Sequence, residues 1–324
     1  RIELQAIVYN AAIDCDGVVY IVYRAMGDDN TSVMGLATSR DGVTVDERMT
    51  EPMYVPRADF ELKHGDLHGN SGCEDARLTL INETLYMTYT AYTGVGHTRV
   101  ALTSISLSDF LERRFSNWSD PKLITLQNVD EKDVALFPEL INGKYLFLHR
   151  VSPMICLSST NSSDFDEHTI THCIELFGPR KGTWESEKVG IAGTPIKTEH
   201  GWLLIYHAVS KEGAYSLGAA ILDMKDPTVI IGRTVEPILK PEMEYEKVGL
   251  IPNVVFSCGA VVRDDTLFVY YGGADSVCAV ATGSLSELLK ILRPSALFEN
   301  TNTQPLTKNF SKMHTSRRNH RPRG

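Results

Sequence analysis

One β-hairpin pattern recurs five times along this 324-residue chain, and such a repeat restricts the fold more than any single motif. The copies lie at 17–24, 84–90, 143–150, 201–207 and 266–272, each rich in β-branched and aromatic residues. Each follows a turn signal: Asp16-Gly17, Asn82-Glu83, Asn142-Gly143, His200-Gly201 or Asp264-Asp265. A short apolar run precedes the turn, and a further strand follows at 33–39, 100–106, 154–159, 217–222 and 278–283. Successive hairpins begin 58 to 67 residues apart, close to the period of a four-stranded propeller blade. Only 284–292 reads as a good helix. Evenly spaced strands without helices mean a propeller or a sandwich, and five equal units select an all-β, five-bladed β-propeller. Residues 1–294 are then one domain. The polar, basic stretch 295–324 is expected to be poorly ordered and to add no blade.

Equivalent strands around one axis bring equivalent strand ends together. Aligning the five copies puts Arg24, Thr90, Arg150, His207 and Gly272 in one column. Two guanidiniums and an imidazole around a shared point make an oxyanion site, with phosphate the obvious occupant. Read singly, Arg24 and Arg150 would be partners of local acids such as Glu74 or Asp75. The stretch Gly72-Cys73-Glu74-Asp75-Ala76-Arg77 places acids at the mouth of a strand, where they suit a pocket better than a core. Taken alone it would be a charged turn.

One acid beside an anion site points to cleavage of a glycosidic bond with phosphate as nucleophile. An inverting hydrolase needs a second carboxyl to activate water, whereas phosphate brings its own nucleophilic oxygen. Asp75 is the candidate acid, with Arg150, His207 and Lys188 as candidate phosphate ligands. Lys188 also reads as a solvated lysine among glutamates. Asn10 and Asp275, at strand edges, are candidates for sugar recognition, and Gly272 and Gly273 would let backbone approach a ligand. Asp275 reads equally as a turn residue capping its own backbone.

The formal net charge of −9 argues against a nucleic-acid partner. Beyond Thr301 there are six Lys or Arg and no acid, which leaves −15 for the remainder. The six cysteines show no metal-ligand spacing, and most sit in apolar runs as small hydrophobes. No metal and no cofactor are expected; inorganic phosphate enters as co-substrate. No apolar run approaches a membrane span, and no signal peptide is visible, so a cytoplasmic location is the default. A leader ahead of Arg1 stays open. Asn-x-Ser/Thr triplets at Asn30, Asn82, Asn117, Asn161 and Asn309 matter only if the chain is secreted.

At these residues the chain resembles the family 130 glycoside hydrolases, the inverting β-mannoside phosphorylases and their hydrolytic relatives. The resemblance is carried by Gly72-Cys73-Glu74-Asp75-x-Arg77, Leu136-Phe137-Pro138-Glu139, Asn142-Gly143-Lys144-Tyr145 with His149-Arg150, 201–207, 215–223, 248–256 and Tyr270-Tyr271-Gly272-Gly273-Ala274-Asp275. It implies a five-bladed propeller. It also implies that Asp75 is the general acid, protonating the glycosidic oxygen through the mannose 3-hydroxyl. Arg150, Lys188, His207 and Tyr215 match phosphate-binding positions, and Asn10, Arg24 and Asp275 match residues that hold mannose. Two departures stand out: Ala76 replaces a usual proline, and the chain begins almost at Asn10. The activity implied is phosphorolysis of β-1,2- or β-1,4-linked mannosides to α-mannose 1-phosphate and a shortened acceptor. The alternatives are a β-mannosidase of the same fold, a mannosyltransferase–phosphorylase using a nucleotide sugar, and a non-catalytic sugar-binding propeller. Acceptor identity and homo-oligomerisation are left open.

Overall fold

The computed structural model describes residues 6–66, 68–127, 129–292 and 307–309, with backbone alone at 6–9 and 307–309. Five antiparallel units follow one another in sequence order. The first is Ala6–Cys15, Val18–Met26 and Thr31–Ser39; the second is Ser71–Ile81, Thr84–Tyr92 and Arg99–Ser106. The third comprises Lys132–Leu136, Tyr145–Val151, Met154–Thr160 and His172–Phe177. The fourth comprises Lys188–Ile191 with Ile196–Thr198, then Gly201–Val209, Tyr215–Leu222 and Ile230–Arg233. The fifth is Val255–Arg263, Thr266–Gly273 and Val277–Ser284. Parallel pairing of Thr31 with Ser71 and Ser32 with Gly72 joins the first two units into one sheet.

These units are the blades of a five-bladed β-propeller. Strand residues alternate between two faces, and each blade is apolar on both, so each must be covered by a neighbour on either side. Five apolar layers meet that need. Val22, Met34 and Leu36 meet Leu78 and Met87 between blades one and two. Val100 and Leu102 meet Leu136 and Phe147 between two and three. Leu148 and Leu157 meet Trp202 and Leu204, and Leu203 and Ile205 meet Val255 and Val269. The fifth layer closes the ring, with Val19, Ile21 and Tyr23 of blade one against Val261, Phe268 and Tyr270 of blade five. Polar ties reinforce this seam: Arg263 pairs with Asp14, and the Tyr270 hydroxyl donates to the Gly42 carbonyl at 2.7 Å.

The hairpin turns follow the expected chemistry, with Asp16, Asn82, Asn142 and Asp264 all at positive φ near 52–53°. The expected helix forms over Leu285–Leu292 and packs Leu288, Leu289 and Leu292 between blades four and five. No described helix is long and apolar enough to cross a membrane. The expectation for 295–324 lies outside the described residues except at Thr307–Asn309, which pairs with His172–Phe177 at the outer edge of blade three. One reading of the cysteines is corrected. Cys156 and Cys173 are not small free hydrophobes but are joined by a disulfide between neighbouring strands of blade three.

Closure of the ring depends on close backbone approach at Gly259, where an added Cβ would lie 2.4 Å from the Ala12 nitrogen. We expect Gly259→Ala to destabilise the protein by about 1–3 kcal/mol, because backbone cannot step aside as a side chain can. Urea unfolding of this variant beside wild type checks it; an unchanged midpoint would refute the tight seam.

Candidate active site

The innermost strands of four blades each carry one residue too many near their start. Val8 faces Arg24 but Asn10 faces Tyr23, and Glu74 faces Thr90 but Arg77 faces Thr88. Lys132 faces Arg150 but Ala135 faces Leu148, and Ser257 faces Tyr271 but Gly259 faces Tyr270. These are β-bulges, which bend a strand and re-aim its side chains. Only the fourth inner strand runs regularly, with Lys188 opposite Val209 and Gly190 opposite His207. Two bulge residues are acids held in the left-handed region, Asp75 at φ 54° and Asp133 at φ 58°. Aspartate tolerates that conformation better than most residues with a Cβ.

The expected column of strand ends is present. Arg24, Thr90, Arg150, His207 and Gly272 lie one or two residues from the ends of the second strands, each on the face turned toward the following blade. Arg24 reaches the acids of blade two: its Nη2 lies 2.8 Å from Glu74 Oε1 and its Nη1 3.6 Å from Asp75 Oδ1. Burial pushes the Glu74 pKa up and Asp75 adds to the rise, while Arg24 and Lys132 oppose it. Arg150 pairs instead with Asp133, Nη1 to Oδ2 at 2.8 Å. Asp133 Oδ2 also lies 3.4 Å from His207 Nε2, and its Oδ1 accepts from Arg77 Nη2 at 3.0 Å. Arg77 further donates to the carbonyls of Asp75 at 2.6 Å and Ile191 at 2.9 Å. His149, beside Arg150, is held in the core by Glu131 and Ser158 at 2.8 and 3.1 Å, which fixes the strand that carries the guanidinium.

Around blade four, the Lys188 ammonium stands 5.1 Å from the Tyr215 ring centroid, and Tyr215 lies 6.3 Å from the His207 ring. Gly190 is obligatory here, since a Cβ would fall 2.4 Å from His207 Nε2 and 2.6 Å from Asp133 Oδ2. In blade one, Asn10 is buried and accepts from the Cys278 thiol at 2.9 Å. Asp275 is also buried, at φ 51° in the turn between the last two strands. A groove of about 910 Å³, lined by Trp184, Glu187, Ser216 and Asn253, flanks the Lys188–Tyr215 side. The loop between blades one and two is anchored by buried Glu61, which accepts from Tyr54 at 2.9 Å and from the Arg57 and Ala58 amides.

The mouth is therefore electropositive within an acidic protein. Arg24, Arg77, Lys132, Arg150 and Lys188 outnumber the four carboxylates of Glu74, Asp75, Asp133 and Asp275 by one. His207 differs from its expected part as a cation. It is 0% exposed, and burial holds its pKa at about 3, with Arg150, Arg77 and Lys188 lowering it further against Asp133. A neutral imidazole contributes hydrogen bonding rather than charge. Sequence reasoning missed Asp133 and Lys132, although both open the third inner strand as Glu74 and Asp75 open the second. No cluster of metal-ligating side chains occurs among the described residues.

Comparison with known proteins gives four findings. The family model described as beta-1,4-mannooligosaccharide phosphorylase matches residues 2–294. The chain is 40% identical over 300 residues to a 1,2-beta-oligomannan phosphorylase of Thermoanaerobacter sp., covering 88% of this chain and 92% of that protein. It is 35% identical over 172 residues to a beta-1,4-mannooligosaccharide phosphorylase of Ruminococcus albus, covering about half of each, 49% and 50%. Its structure superposes on the beta-1,2-mannobiose phosphorylase of Listeria innocua in complex with beta-1,2-mannobiose. The TM-score is 0.73 at 29% identity, with 90% of this chain and 92% of that one covered.

The buried imidazole makes a pH prediction. An unfolded histidine binds a proton below about 6.5, whereas folded His207 does so only near 3, so unfolding takes up a proton between those values. Stability then rises with pH across that window, by at most about 1.4 kcal/mol per pH unit from this group. Glu74 acts in the opposite sense, because its raised pKa favours the folded state as pH falls. The His207→Gln variant isolates the first effect: between pH 6.5 and 4.5 it should lose about 2–3 kcal/mol less stability than wild type. Parallel denaturation curves would contradict this.

Proposed function

This chain belongs to family 130 of the glycoside hydrolases, and we propose that it cleaves β-mannosides by phosphorolysis with inversion. It is a glycoside phosphorylase: mannosyl is transferred from a β-mannoside to inorganic phosphate. A phosphate oxygen forms the new bond to the anomeric carbon, the glycosidic C–O bond breaks, and the departing oxygen gains a proton. α-Mannose 1-phosphate and a shortened acceptor result, and the reverse reaction elongates the acceptor.

One observation carries the assignment, the division of the mouth. The acids Glu74 and Asp75 sit with Arg24 on blades one and two, and Arg150, Lys188, His207 and Tyr215 gather across blades three and four. A hydrolase would need a free carboxylate on the second side to activate water. Asp133, the acid beside Arg150 and His207, is 2% exposed and bound to Arg77 and Arg150, and Glu187 lines the flanking groove. We assign Asp75 as the proton donor. Arg150, Lys188 and Tyr215 are the phosphate ligands, joined by His207 as a neutral hydrogen-bonding partner. Asn10, Arg24 and Asp275 hold the mannose.

The long match to a 1,2-beta-oligomannan phosphorylase, against a half-length match to a β-1,4 enzyme, supports β-1,2 as the linkage cleaved. Incubating β-1,2- and β-1,4-mannobiose with and without phosphate tests both points. Mannose 1-phosphate should appear from the β-1,2 disaccharide only when phosphate is present. Cleavage without phosphate would return the hydrolase reading, and preference for the β-1,4 substrate would overturn the linkage.

Two variants test the roles. Asp75→Asn keeps the shape but cannot release a proton, so turnover should fall by about 10²-fold or more while ligand binding persists. Near-normal activity would remove Asp75 from the acid role. Arg150→Ala should raise the KM for phosphate by about one to two orders of magnitude, with little change in the KM for mannoside. Arg24→Ala should do the reverse and also lower kcat, since it strips Glu74 and Asp75 of their shared cation. Equal effects on both substrates would sink this division.

A further inference from the structure

Arg77 and Asp133 are buried and ion-paired with each other at 3.0 Å, and together they touch the groups on both sides of the mouth. Arg77 ties three blades at once: the Asp75 carbonyl on the second, the Asp133 carboxylate on the third and the Ile191 carbonyl on the fourth. The guanidinium is a rigid planar fork, so these three atoms are fixed relative to one another. Asp75 and Asp133 are both bulge residues at positive φ. The side chains in question thus leave the two strands at the same irregularity. The second oxygen of Asp133 holds Arg150 and lies beside His207 Nε2, in space that glycine at 190 leaves open.

We propose that the Arg77–Asp133 pair is a positioning element for the reaction: it sets the backbone of the acid and the guanidinium that receives phosphate in one register. This rests on the phosphorylase reading above. Asp133 holds Arg150 in place before phosphate arrives, and Arg77 carries that placement across to Asp75. The bland alternative is an ion pair that only supports the core. A purely structural pair would change stability but would not act selectively on one substrate.

The test uses the full chain with phosphate and β-1,2-mannobiose varied separately, and melting temperature measured alongside. Asp133→Asn keeps the shape and tolerates left-handed backbone. Its KM for phosphate should rise about 10- to 100-fold, the effect of losing one charge-assisted anchor, with the KM for mannobiose changed less than about threefold. It also leaves Arg77 as an unpaired buried charge, so the melting temperature should fall. The double variant Arg77→Gln/Asp133→Asn removes that imbalance. Its melting temperature should recover while its KM for phosphate stays raised. Titration calorimetry with phosphate alone gives the same comparison without turnover.

If phosphate affinity recovers together with the melting temperature, the pair is structural and the proposal is wrong. Unchanged or tighter phosphate binding by Asp133→Asn would overturn it equally. Failure of the phosphorylase reading would show in wild type, as cleavage without phosphate, whereas failure of this proposal shows only in the variants.

Discussion

Everything in this protein depends on a sheet that is apolar on both faces. A blade such as Gly201–Val209 with its partners turns Trp202, Leu204 and Tyr206 one way and Leu203 and Ile205 the other. Neither face can be left to water, so each blade needs two neighbours, and only a closed ring supplies them to all five. Closure leaves the innermost strand starts facing one another across an axis. Those starts cannot be packed apolar to the centre without filling the hole. They are where polar and charged side chains can gather at least cost to the core, and the active-site candidates come from there.

Local irregularity turns that general geometry into a particular site. A regular strand sends consecutive side chains to opposite faces, toward opposite neighbours. One inserted residue breaks the alternation, and here the insertion occurs at equivalent places in four blades. Asp75 and Asp133 occupy two of these places and Tyr9 and Cys258 the others. Blade four dispenses with the insertion and uses Gly190 to make room for His207 and Asp133 instead. The two solutions differ, but each makes room for charged groups to meet inside the ring.

The fold was legible in the sequence because its evidence is periodic. Alternation marked the strands, and Asp16-Gly17, Asn82-Glu83, Asn142-Gly143 and Asp264-Asp265 marked turns that do adopt positive φ. The column of Arg24, Arg150 and His207 followed from the same period. What stayed hidden was whatever depends on register. A bulge near the start of a strand leaves the alternation along the rest of that strand intact, so the central place of Asp133 could not be seen. The neutrality of His207 follows from complete burial, which the end of a strand does not announce. The Cys156–Cys173 bond is hidden for a similar reason: a spacing of 17 residues says nothing until two strands are known to be adjacent.

The contrast between an acidic body and a cationic mouth bears on how an anion arrives. The chain carries a formal charge of −9, while five cations and four carboxylates meet around the inner strand starts. These are two fields of opposite sign and different reach. At about 0.01 M salt the Debye length is about 30 Å, so an approaching dianion feels the repulsive body before the attractive centre. At about 0.1 M it shrinks to about 10 Å, which mutes the distant repulsion while the buried contact pairs, poorly screened, keep most of their strength. On this charge distribution an anion's encounter with the site should quicken from low to moderate ionic strength, the reverse of what is expected of a basic protein that draws anions from afar.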